Sequence, residues 1–170
     1  MQAQSAPRRF VTGINAVGIV LILAPLLDVI LRILPPNPGA VSWRFGALGL
    51  LYNFLLLPVL GAAILLGSAV VLRRRGAARG FGGALVAIGA LLGVSVLVFA
   101  LDYLQMRGTV KLEARASFDV AAWKAIAYAV LLAVATLLLG SGGLSAARTW
   151  AADAARHRGE PVGLVVGQDG

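Results

Sequence analysis

Four apolar stretches, at residues 12–34, 47–72, 81–103 and 121–139, alternate along the chain with short polar breaks. Crossing the hydrocarbon core of a bilayer takes about 20 predominantly apolar helical residues, and each stretch is close to or above that length. The pattern therefore predicts an all-α integral membrane protein, a four-transmembrane-helix bundle forming a single membrane domain over residues 1–170. The second stretch has the sharpest limits. It opens on Trp43-Arg44-Phe45 and stops at Arg73-Arg74-Arg75. Three arginines cannot enter lipid cheaply, so they set where that helix ends and which side its end faces.

The breaks carry their own predictions. Residues 1–10 are a short polar leader with Arg8 and Arg9. The apolar run after it is longer than the core of a signal peptide, and no small-x-small cleavage site follows, so it reads as the first span. Pro35-Pro36-Asn37-Pro38-Gly39 ends that span in a stiff turn. Residues 73–80 form a tight basic loop. Residues 109–119 alternate, with Val110, Leu112, Ala114, Ala116 and Phe118 set against Lys111, Glu113, Arg115, Ser117 and Asp119. A period of two predicts an extended strand with one face covered, lying on the bundle or pairing with a strand of a partner. Trp123 and Lys124 mark the start of the fourth span. Gly140-Ser141-Gly142-Gly143 interrupts it, and Ser145 is placed to cap a short interfacial helix over residues 145–158. That helix sets Leu144, Ala147, Trp150, Ala151 and Ala154 on one face. Gly159 and Pro161 end it, and the tail VGLVVGQDG has little to hold it.

Several polar or small residues interrupt the apolar runs. Pro25 is expected to bend the first helix. Asp28 and Arg32 stand four apart on one face, where they form an ion pair; an intramembrane acid is also a candidate proton or cation site. Asn53 is placed to hydrogen-bond across helices, and Pro58 frees the Phe54 carbonyl. Gly80, Gly82, Gly83, Gly89 and Gly93 crowd the first half of the third span, and Gly89 with Gly93 makes a GxxxG. Gly82, Gly89 and Gly93 are thus the expected helix-packing positions.

Composition narrows the class. Of 170 residues, 59% are hydrophobic and 13% charged, and the mean hydropathy is +0.89, outside the range of soluble proteins. The formal net charge is +8. No basic tract interleaves with aromatics as a nucleic-acid surface would, so the charge points to topology and to anionic lipids, with no nucleic acid among the partners. Four spans place Arg8, Arg9, Arg73, Arg74, Arg75, Arg79, Arg148, Arg156 and Arg158 on one side. Arg32, Arg44, Arg107, Lys111, Arg115 and Lys124 lie on the other. The excess puts both termini in the cytoplasm of a bacterial inner membrane. Trp43, Trp123 and Trp150, with the arginines at 73, 74, 75 and 79, are the expected headgroup anchors.

The inventory of reactive groups is thin. Cysteine is absent, which excludes disulfides and thiolate chemistry. The one histidine, His157, lies beyond the last span, so no span offers the usual ligand for haem or chlorophyll magnesium. No donor cluster, nucleophile elbow or phosphate-binding glycine loop is present in the sequence. No catalytic, metal or cofactor residue is assigned, although lipid or pigment contacts need no histidine. The expectation is not an enzyme.

The first 60 or so residues resemble the HpsJ-like membrane proteins. The features shared are the apolar first helix with Asp28 near its end, the Pro35-Pro36 turn, Trp43 with Phe45, and Pro58-Val59-Leu60-Gly61. That resemblance implies a small four-span bacterial protein with an accessory role in exopolysaccharide or exosortase systems, and it supplies no catalytic residue. The leading expectation is a non-catalytic accessory subunit packed against other integral-membrane subunits, as in photosynthetic or respiratory assemblies. An exopolysaccharide assembly or export factor is the second reading, and a small transporter using Asp28 the third.

Overall fold

The structure, a computed structural model, describes residues 5–159; among them the chain is all-α, with no strand. The helices are α1 (Ser5–Ile33), α2 (Val41–Phe54), α3 (Leu56–Val71), α4 (Arg75–Arg107) and α5 (Leu112–Gly159). Phe10–Ile33, Arg75–Arg107 and Leu112–Asp153 are long and apolar enough to cross a membrane, and α2 with α3 forms a fourth such unit only as a bent pair.

Local chemistry explains the boundaries. Pro35 and Pro36 stop α1, and the Ala40 amide donates to the Asn37 carbonyl to close the turn into α2. Residues 47–72 read as one span, but the helix breaks at Leu55 and α3 leaves α2 at 46°. Pro58 causes this: it has no N–H for the Phe54 carbonyl, and its ring crowds that carbonyl. At the far end of α3, the Arg74 amide donates to Ala69 (2.9 Å) and the Arg73 amide to Val70 (3.0 Å). This is a Schellman closure, and Arg73 (φ 51°) occupies the left-handed position that glycine usually takes.

Two expectations are corrected. Residues 109–119 do not form a strand, because α5 begins at Leu112. A helix satisfies its backbone internally, whereas a lone strand needs a partner that these helices do not offer. Phe118 instead joins Ala122, Ala125 and Ala129 in a helical stripe against α4 and α2. Nor does Gly140-Ser141-Gly142-Gly143 separate a fourth span from an interfacial helix. The helix runs through it, about 72 Å from end to end. Ser145 lies mid-helix and caps nothing.

α4 and α5 form an antiparallel hairpin in steady register, with Tyr103 beside Asp119 at one end and Ala78 beside Ala147 at the other. α1 packs along α3 and touches α2 near the proline turn, but among the described residues it does not reach α4. The proline-turn end holds one core cluster, in which Phe45 stacks on Phe99 (ring centroids 4.5 Å) and on Phe118 (5.2 Å). The arginine-turn end holds a second, built from Leu66, Ala69, Ala78, Leu85 and Ala147, with Trp150 against it.

Alanines share the core with Tyr52, Leu85 and Phe99, and many large apolar side chains face outward. Ala78, Ala129, Thr136 and Ala147 are wholly buried, while Leu31, Leu91, Leu97, Leu131 and Leu138 are each about 70% exposed. Left in water, each such leucine would forgo about 1.5–3 kcal/mol of burial. Small residues at close helix contacts and leucines on the outer surface are what lipid tolerates.

Candidate functional site

The ion-paired side chains of the apolar helices gather at the proline-turn end. Arg44, one turn into α2, forks onto Asp102 near the end of α4, through Nε (3.2 Å) and a terminal nitrogen (2.8 Å). Its other terminal nitrogen donates to the Pro38 carbonyl (2.9 Å), so one guanidinium ties the turn, α2 and α4 together. The Asp102 side chain is 3% exposed. Beside it the Tyr103 hydroxyl donates to Asp119 (2.7 Å), whose carboxylate also accepts from Arg107 at 3.1 and 3.0 Å. This triad joins the last turn of α4 to the second turn of α5.

Asp28 and Arg32 do pair, at 2.9 Å, with both side chains about half exposed on the outer surface of α1. Arg32 also lies over the Phe54 ring, 5.7 Å from its centroid. The sequence reading missed the Arg44–Asp102 fork. A signal existed: a lone acid inside an apolar run needs a cation at its own depth, and Arg44 is set at that depth on a neighbouring helix.

The packing residues divide. Gly82 faces Gly140 and Leu144, and Gly89 faces Thr136 and Leu137; a Cβ on Gly89 would stand 2.7 Å from the Thr136 hydroxyl. Gly93 faces open space, so the GxxxG is used only at its first glycine. Asn53 is exposed and donates to the Gly49 carbonyl of its own helix (2.8 Å), crossing to no neighbour. Three close approaches escaped the sequence reading. Gly18 meets Gly61 where α1 crosses α3, Gly140 abuts Gly82, and Gly143 abuts Leu66. One hydrogen bond also joins α1 to α3, from the Ser68 hydroxyl to Asn15 (2.7 Å).

The arginine-turn end is different. Arg73, Arg74, Arg75 and Arg79 are exposed and, among the described residues, form no ion pair; Arg148 and Arg156 are exposed at the same end of α5. All three ion pairs found among the described residues belong to the opposite end. Of the aromatic anchors, Trp43 donates to the Ile33 carbonyl (3.1 Å), Trp123 is 62% exposed, and Trp150 is half-buried on the second core cluster. The side chains of Arg8, Arg9, Ala154, His157 and Arg158, and the tail after Gly159, lie outside the described residues.

Between these ends the α2–α3 break opens a groove of about 540 Å³. Its floor is Leu51, Leu55, Pro58, Val59 and Ala62, one wall is α1 at Ile22 and Leu26, and the other is α4 from Phe81 to Ser95. Ser95 is its one polar lining residue. That hydroxyl donates to the Leu92 carbonyl (2.8 Å) and accepts from Tyr52 (2.9 Å). The groove offers shape and hydrocarbon and no reactive group. No cluster of three or more His, Cys, Asp or Glu residues able to hold a metal ion occurs among the described residues.

Compared with protein-family models, curated proteins and solved structures, the chain returns no match.

Proposed function

We propose that this chain is a four-span protein of the bacterial inner membrane, both termini in the cytoplasm, and a non-catalytic accessory subunit of a larger integral-membrane complex. The observation that carries the reading is how its acids are used. The chain has seven acidic residues, and three of them, Asp28, Asp102 and Asp119, are ion-paired among the described residues. Each is held by an arginine, and two of those pairs tie one helix to another. A carboxylate that carries a proton or a cation through a membrane has to be free to exchange it along a path. These three act as fasteners.

Three further features support the membrane half of the reading: long apolar helices, small residues at helix contacts, and a cluster of exposed arginines at residues 73, 74, 75 and 79. The bent α2–α3 pair serves as the second span, its break stabilised by neighbouring helices. Other integral-membrane subunits are the partners, and large apolar side chains facing outward on α1, α4 and α5 are the surface they share with lipid.

The test is native electrophoresis of gently solubilised membranes carrying the tagged chain, with mass spectrometry of the band. Migration with a defined set of integral-membrane proteins is expected. A chain that migrates alone at its own mass, or that transports an ion in proteoliposomes, overturns the reading.

A further inference from the structure

We infer that the outer face of α2 docks on the same face of a second copy of this chain, the two helices running parallel about a two-fold axis along the membrane normal, with Asn53 of one copy hydrogen-bonded to Asn53 of the other. The inference rests on the membrane-spanning reading above and goes beyond it.

α2 is the one helix that offers lipid no large apolar side chain. Such side chains stand exposed on α1, α3, α4 and α5, but none does between Leu34 and Leu56. The exposed residues of α2 are Ser42, Gly46 and Asn53. Ser42 lies at the wet end of the helix, where water can satisfy it. Asn53 lies ten residues past the Trp43 anchor, about 15 Å along the helix and so near the middle of a hydrocarbon core about 30 Å thick. Its carboxamide donates one hydrogen to the Gly49 carbonyl (2.8 Å). The second hydrogen and the carbonyl oxygen have no partner among the described residues, and hydrocarbon supplies none. A docked neighbour removes that cost.

Spacing selects the geometry. Ser42, Gly46, Gly49 and Asn53 follow at intervals of four, three and four residues, the seam along which two helices pack at a crossing angle of about 20°. Asn53 falls on that seam at a position where a single asparagine fixes register and the number of partners. This chain leaves room for the contact: a Cβ on Gly46 would meet nothing within 4 Å, and one on Gly49 would touch only the Phe99 ring at 3.6 Å. Glycine there lets two backbones come close enough for side chains as short as asparagine to meet.

Complementarity selects the occupant. The face carries no net charge, because Arg32, which borders Ser42 and Gly46, is neutralised by Asp28 at 2.9 Å. A charged partner therefore gains nothing on it. Asn53 leaves one donor and one acceptor open, and a second carboxamide answers both at once. A two-fold axis along the membrane normal keeps every residue at its own depth, so it sets Asn53 against Asn53 and Gly46 against Gly46. The 46° bend turns α3 away from the line of α2 and confines the contact to α2.

The experiment is energy transfer between donor- and acceptor-labelled full chains, each labelled at Gly76→Cys, in phosphatidylcholine vesicles as the protein is diluted into lipid. A dimer is expected. Asn53→Leu should weaken association about three- to thirtyfold, and Asn53→Gln, which keeps the carboxamide, should weaken it less. Gly46→Leu, whose side chain enters open space in the single chain, should abolish it. Gly93→Leu, also in open space but on α4, should leave it unchanged, and circular dichroism identifies any variant that fails to fold. In native membranes, oxidation of the unlabelled Gly46→Cys chain should give a cross-linked band of twice the chain's mass.

A folded, integral chain that stays monomeric overturns the inference and leaves the membrane-spanning reading standing. A dimer that both Gly46→Leu and Asn53→Leu leave intact overturns it too, because its interface then lies elsewhere. A Gly46→Cys cross-link to a different protein gives the face to another subunit and rules out the second copy. A chain that alkaline carbonate strips from membranes fails the membrane-spanning reading itself.

Discussion

The three ion pairs differ in how much water they keep, and that difference ranks them. The Arg44–Asp102 side chains are 31% and 3% exposed, those of Arg107–Asp119 49% and 23%, and those of Arg32–Asp28 57% and 41%. Removing one partner of a buried pair strands a charge, while exposed pairs contribute little. Arg44→Ala should therefore lower the unfolding midpoint most, Arg107→Ala less, and Arg32→Ala least, in thermal unfolding of the detergent-solubilised chain. A larger drop for Arg32→Ala would count against the fork as the main tie. The third reading of the sequence, transport through Asp28, implies that Asp28→Asn abolishes proton-coupled uptake in proteoliposomes. With Arg32 at 2.9 Å on an outward face, the substitution is expected to leave uptake at the level of empty liposomes, as in wild type.

At the scale of helices, glycine substitutions separate contact from composition. Gly89→Ala places a Cβ 2.7 Å from Thr136 Oγ1 and from Leu137 Cγ, and Gly140→Ala places one 2.6 Å from the Gly82 carbonyl oxygen. Overpacking of this kind costs about 1–3 kcal/mol. Gly93→Ala meets nothing within 4 Å, and alanine is the better helix former by up to about 1 kcal/mol. Unfolding titrations should show opposite signs at the two ends of the GxxxG. Spin labels at Phe45 and Val70 report the break: Pro58→Ala restores the donor to Phe54, so the distance between them should lengthen as the 46° bend relaxes. An unchanged distance would mean that the neighbouring helices, not Pro58, hold the bend.

For the whole molecule, the proposed orientation rests on the arginines clustered at residues 73, 74, 75 and 79. The chain has no cysteine, so single cysteines can be introduced without background. A cysteine at Gly76, which has open space around it, should react with an impermeant maleimide only after the cytoplasmic face is opened, and one at Asn37 should react from outside. Reversed labelling would invert the proposed topology.

The apolar runs, their helical state, the proline turn, the arginine stop and the Asp28–Arg32 pair were all legible in the sequence. Each depends on residues within a turn or two of one another, where hydropathy, backbone chemistry and helical spacing act locally. The extent of α5 was not, because Gly140-Ser141-Gly142-Gly143 reads as a break until Gly82 and Leu66 are known to lie against it. The alternation at 109–119 likewise implied a strand until Tyr103 and Phe45 supplied a helical face for Phe118. The same holds for the Arg44–Asp102 fork and the groove. Both depend on how far each helix is rotated and slid against its neighbours, which close glycine contacts and long-range pairs decide together. That information is shared between segments distant along the chain, so only the tertiary structure could supply it.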